Sequence, residues 1–183
     1  MTVAEPIART TLAEQIQAAR KRTEELFSTL RSSYLYERPI RERHRVIFYV
    51  GHLDAFDYIQ ICREGLRQRS KEEALDNLFQ AGIDPDSDSL PSDTPQDWPS
   101  PAQVERYVTQ ARAAVDEALD AAPEYIIQMS LEHRLMHLET LAYMWHNFEY
   151  AVKSAPAGAQ HDDGGERGTH ENGWREIPEG QAL

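Results

Sequence analysis

The sequence holds one cysteine, Cys62. A single thiol excludes an internal disulfide framework and suits a reducing compartment. With no C-x-x-C pair anywhere, a structural zinc site built on thiolates is excluded as well. No apolar run approaches the roughly 18 to 20 residues needed to span a bilayer. The first ten residues, M-T-V-A-E-P-I-A-R-T, lack the apolar core of a secretory leader. Positive charge is scarce: 19 Lys and Arg stand against 31 Asp and Glu, a net charge of -12. That balance argues against non-specific nucleic-acid binding and against docking to an anionic membrane surface. The expectation is a soluble cytoplasmic protein. Convincing strand patterns are also missing before the last ten residues. The 183 residues suffice for one domain with a real core and a short appendage.

What is present is helical periodicity. After a loose arm over 1–10, Thr11 and Glu14 form a capping box for a helix over about 11–32. Its inward stripe is Leu12, Ile16, Ala19, Thr23, Phe27 and Leu30. A long helix is expected over about 40–68, starting in the basic run Arg41, Arg43, His44 and Arg45. Its stripe is Phe48, His52, Ala55, Phe56, Ile59 and Cys62. A short helix is expected over 72–80. Residues 81–101 then carry five prolines among many aspartates and serines, a long connection in which Trp98 is the natural anchor. Ser100 as cap, Pro101 at the first position and Gln103 as box partner open a helix to about residue 121. The last long helix is expected over 123–153, with Ile126, Ser130, His133, His137, Leu141, Met144 and Phe148 inward. The pattern predicts an all-α fold, an antiparallel four-helix bundle over 11–153 with a long crossover loop. Residues 154–173 read as a flexible linker.

His133 and His137 are four residues apart on an inward helical face, so their imidazoles point the same way. His52 lies in the middle of the stripe of another helix. Bundles build metal sites in this way, from side chains on facing helices. The pair is not the H-E-x-x-H of metalloproteases, because Arg134 follows His133 and the general-base glutamate is missing. Three neutral imidazoles leave coordination positions open and suit Fe(II), Zn(II), Ni(II) or Cu(II). Glu132 and Glu139 are candidates to orient the rings, with solvated helix charges as the plain alternative. His44 is expected to be exposed, and His146, His161 and His170 lie off the ligand stripe. Cys62 reads as a small buried hydrophobe, and Tyr107 as an inward-facing core or pocket residue.

Two segments carry a resemblance. F-Y-V-G-H-L-D-A-F around His52 and E-H-R-L-M-H-L-E-T-L-A-Y-M around His133 and His137 resemble the N-terminal domain of ergothioneine- and ovothiol-type sulfoxide synthases. These are non-haem iron enzymes. Their N-terminal domain is a DinB-like four-helix bundle, and their C-terminal domain resembles formylglycine-generating enzyme. The resemblance implies Fe(II) at His52, His133 and His137, with Zn(II) or Ni(II) as alternatives. It implies a thiol such as cysteine or γ-glutamylcysteine and a histidine betaine as substrates, joined with dioxygen. P-A-Q-V-E-R-Y, Pro101 to Tyr107, resembles the start of the family's third helix and implies that Tyr107 lies near a substrate pocket.

The closing W-R-E-I-P-E-G, within 174–183, is similar to the opening of the formylglycine-generating-enzyme-like domain. Only that opening is present, which implies half of a split enzyme, completed by a separate chain, or a truncated relative. Two other readings stay open: a stand-alone metal-dependent thiol S-transferase, and a non-enzymatic helical interaction module. Self-association as a homodimer is open too.

Overall fold

The computed structural model describes residues 11–80 and 90–155. The expected arm over 1–10, the linker and the closing W-R-E-I-P-E-G lie outside the described residues. Those described are helical: α1 Leu12–Ser28, α2 Val46–Tyr58, α3 Glu73–Gln80, α4 Pro101–Ala118 and α5 Glu124–Met144. A π-helical segment, Ile59–Gly65, continues α2 without a break. The all-α expectation holds, with no strand among the described residues; a lone bridge joins Leu30 to Lys153.

The expected caps are formed. Thr11 and Glu14 make a reciprocal box at the start of α1, and Ser100 and Gln103 do so at α4 with Pro101 in the first turn. All four long helices are shorter than expected, α2 and α5 the most. The basic run does not belong to α2. Instead the Val46 N–H donates to the Glu37 carbonyl and the Ile47 N–H to that of Leu35, so the preceding link satisfies amides that an earlier helix start would have used. Arg38 and Arg45 both pair with Asp93, which also accepts from the Trp98 indole N–H at 2.7 Å. Arg38 and Arg45 therefore strap the crossover connection to the start of α2, while Arg41 is exposed. His44 is half-buried, with its ring stacked on Phe48 at 4.0 Å, a correction to the expected exposure. Trp98 anchors the connection as expected, edge-on to Phe48 at 6.0 Å.

At the other end, α5 stops at Met144. The chain continues through short 3-10 turns at Trp145–Asn147 and Tyr150–Val152. It then pairs with the end of α1, where the Arg31 N–H reaches the Val152 carbonyl and the Ser154 N–H the Thr29 carbonyl.

The sequence stripe on α2 understates its burial. Of its 13 residues, 11 are buried. A helix covered all round belongs in the centre of a fold, and α2 is contacted by α3, α4 and α5, while α1 lies against α5. Phe48, Leu53, Ile61, Val104, Val115 and Leu141 close the apolar core around it. Two of the buried α2 residues, Asp54 and Asp57, are charged.

Candidate metal centre

His52 projects from the middle of α2, and His133 and His137 from successive turns of α5. Their rings meet, with centroids 5.2 Å (His52–His133), 5.0 Å (His52–His137) and 4.5 Å (His133–His137) apart. One nitrogen from each lies within 4.8 Å of the other two. The Nε2 atoms of His133 and His137 are 3.1 Å apart. Two nitrogens bound at ~2.0–2.1 Å to one ion, at angles between octahedral and tetrahedral, stand ~2.8–3.4 Å apart, so this pair fits.

His52 is fixed from behind. Its Nδ1 lies 2.6 Å from the Phe79 carbonyl, and a carbonyl only accepts, so Nδ1 carries the proton. Nε2 is then left with a lone pair, buried and without a partner among the described residues. An orphaned acceptor of this kind is the feature a metal ion satisfies. The Phe79 carbonyl is free for this duty because it lies in the last turn of α3, where carbonyls have no helical partner. Glu132 and Glu139, the sequence candidates for orienting the rings, are exposed. The orienting group is a main-chain carbonyl, which no side-chain pattern could have disclosed.

Gly51 makes that hydrogen bond possible. A Cβ at this position would lie 2.5 Å from two atoms of the Phe79 ring. Alanine would gain about 1 kcal/mol in helix propensity but overpack a rigid ring, at about 1–3 kcal/mol. Gly51→Ala is therefore expected to destabilise slightly or be neutral in urea melts. Because Phe79 and its carbonyl must move, it should weaken metal binding by roughly 10- to 100-fold. Unchanged affinity in a metal titration would show that the Phe79 contact does not support His52.

Aromatic rings wall the cluster. Phe56 stacks on His133 at 3.5 Å and Phe48 on His52 at 4.8 Å. His133 and Phe56 are half-buried, so the cluster meets solvent at this edge. Burial chiefly, with the neighbouring imidazoles and Arg134 adding repulsion, pushes His133 down to about 2 and His137 down to about 4. Burial lowers His52 also, against the opposing pull of the Phe79 carbonyl. All three are neutral near pH 7, the state in which imidazole binds a metal.

A depressed histidine value means that below about pH 6.5 the unfolded chain binds protons the native chain refuses. Stability present above about pH 6.5 is thus lost as pH falls toward the native value of about 4. Urea midpoints of the metal-free protein should fall between about pH 7 and 5, and less steeply in His137→Gln. Equal slopes for the two proteins would refute the link.

The other sequence candidates lie elsewhere. Tyr107 is buried with its hydroxyl donating to Asp76 at 2.8 Å, and burial and that carboxylate push its phenol well above the usual value. It reaches the cluster only through Phe79, whose ring is 5.5 Å away. Cys62 is fully buried, and burial pushes its thiol up to about 11, as befits a core residue rather than a nucleophile. His146 is exposed, and His161 and His170 lie outside the described residues.

Sequence reasoning missed Arg134. It is the largest of the fully buried side chains, ion-paired to both Asp54 and Asp57 of α2. The only available signal was an arginine inside an otherwise apolar arc of α5.

Residues 15–151 match the DinB superfamily. The chain belongs to the DinB superfamily. Two curated relatives sharpen the comparison. Ergothioneine biosynthesis protein 1 of Neurospora crassa is 32% identical over 122 residues, covering 60% of this chain and 14% of that protein. Ergothioneine biosynthesis protein 1 of Schizosaccharomyces pombe is 28% identical over 165 residues, covering 82% of this chain and 21% of that protein. This DinB chain therefore matches about a fifth or less of the length of either relative. The similarity to these two ergothioneine biosynthesis proteins accords with the resemblance read from the two histidine segments, and the three-histidine cluster is compatible with metal binding. No helix of the described residues is long and apolar enough to cross a membrane.

Proposed function

We propose that this DinB domain binds Fe(II) through His52, His133 and His137 and serves C–S bond formation between a thiol and a histidine betaine. The observation that carries the reading is the convergence of three neutral imidazoles from two helices, His52 and His137 buried and His133 half-buried. The orphaned Nε2 of His52 and the 3.1 Å approach of the other two Nε2 atoms support it. The similarity to ergothioneine biosynthesis proteins supports the substrate class. A ferrous ion held by His52, His133 and His137 would supply dioxygen activation and binding of a thiolate.

The chain's own residues supply orientation and shielding. The Phe79 carbonyl holds His52 in one tautomer, and Phe48 and Phe56 exclude water from two ring faces. Among the described residues no carboxylate joins the cluster, so a bound dication would keep its full charge and favour an anionic ligand such as a thiolate. Tyr107 contributes as a wall behind Phe79.

Complete activity needs a further domain, in this chain or in another. The outer face of α5 supports that requirement: Tyr125, Met129, Met136 and Tyr143 are exposed at spacings of four and seven along one side, next to His133.

The test uses Co(II) as an anaerobic stand-in. One equivalent should bind per chain, and cysteine or γ-glutamylcysteine should then produce a sulfur-to-cobalt charge-transfer absorption. Absence of stoichiometric binding would overturn the metal assignment. Binding without a thiol-dependent band would overturn the thiol assignment alone.

A further inference from the structure

The residue between the two α5 histidines faces a different neighbour from theirs. Arg134 immediately follows His133 and precedes His137 by three positions, and its side chain is buried against α2. Its Nε and Nη2 donate to Asp57 Oδ2 at 3.1 and 2.6 Å, and Nη2 also donates to Asp54 Oδ1 at 2.8 Å. Asp54 and Asp57 lie two and five residues beyond His52 on the same helix. Asp54 is itself held by Arg112 of α4, at 3.0 and 3.1 Å. The two helices that carry the imidazoles are therefore joined twice, once by the ring cluster and once by this ion-paired clamp.

The second joint does what apolar packing alone does poorly. Hydrophobic contact is non-directional. A guanidinium fork on two carboxylates fixes both angle and height. Side-chain tips lie ~5–6 Å from a helix axis, so turning α5 by ~10° displaces an imidazole by ~1 Å. That is about twice the ~0.5 Å tolerance of a working constellation. Buried ion pairs commonly add little stability over apolar residues of equal volume, and their best-attested use is to fix register.

We infer that Arg134 is a positioning residue of the histidine site: through Asp54 and Asp57 it sets the rotation and height of α5 against α2, and with them the affinity and geometry of the bound metal. This rests on the assignment of His52, His133 and His137 as metal ligands. Arg134 touches no ligand position itself.

The test separates positioning from folding. In Arg134→Met/Asp57→Leu no unpaired charge remains, because Asp54 keeps Arg112 and Asp57 has no hydrogen-bond partner besides Arg134 among the described residues. This variant should fold with an unfolding midpoint near that of the parent, yet bind Co(II) roughly 10- to 100-fold more weakly. The intensity of its d–d absorption should change as well. Arg134→Lys, which keeps the charge and loses the fork, should shift affinity and spectrum in the same direction, and it carries the test if the double variant does not fold. Parental affinity and an unchanged spectrum in a folded variant would overturn the inference while leaving the metal site intact. Failure of the parent protein to bind Co(II) would overturn both.

Discussion

His137→Ala should remove most of the metal-dependent stabilisation. With metal at about 100 times its dissociation constant, the parent chain gains ~2.7 kcal/mol. Removing one of three ligands should weaken binding by at least the ~100-fold upper range for losing a mere orienting partner. At that weakening, the same metal concentration yields only ~0.4 kcal/mol. For a domain of this size each kcal/mol moves the melting temperature by ~2–4 °C, so a shift of ~5–10 °C should shrink to ~1–2 °C. The metal-free proteins should differ less than a buried large-to-small change usually implies, about 2–5 kcal/mol. His137 Nδ1 is buried without a protein partner, and alanine removes that unsatisfied group together with the ring. His146→Ala serves as the control, because His146 is exposed and away from the cluster. Equal metal-induced shifts in the parent and in His137→Ala, read by calorimetry, would remove His137 from the site.

Arg134→Ala should be the most damaging single substitution for folding. It leaves Asp57 buried with no donor, since Oδ1 already lacks a partner and Oδ2 is held by Arg134 alone. Burial already raises the Asp57 carboxyl above the usual range, with Arg134 opposing it in part and Asp54 adding to the rise. Burial of Asp54 acts the same way, but there Arg134 and Arg112 together outweigh it and hold the carboxyl low. Loss of Arg134 therefore falls mainly on Asp57. Breaking one side of a buried pair costs about 3–5 kcal/mol, a large share of the ~5–15 kcal/mol that holds a domain folded. Urea denaturation should show that loss. Adding Asp57→Leu to Arg134→Ala should restore much of it, because the stranded charge is then gone. A loss below ~1 kcal/mol, or no recovery in the double variant, would mean that the clamp is not held as the geometry indicates.

The local signals were legible because they obey short-range rules. Thr11 with Glu14 and Ser100 with Gln103 place two helix starts, since a cap and its partner lie three residues apart wherever the chain goes. His133 and His137 share a face because 3.6 residues make a turn. His52 sits inward because its neighbours one turn away, Phe48 and Phe56, are apolar. From this much the all-α class and the three gathered histidines followed.

The sequence could not disclose features that depend on partners far along the chain. The basic run before α2 looked like a helix start until Asp93, 48 positions beyond Arg45, claimed the Arg45 guanidinium. Gly51 looked like a weak point in a helix until the Phe79 ring, from a separate helix, occupied the space of its missing side chain. Arg134 looked only like the residue that spoiled a protease motif. Its burial is decided by Asp57 and Asp54, 77 and 80 residues away, and a charge enters a core only where such partners already wait. Sequence by itself determined the main apolar stripe of each helix and which imidazoles pair, because periodicity is a property of one helix. Tertiary structure alone decided how α5 is turned against α2, because that angle is set by side chains that meet only once both helices are in place.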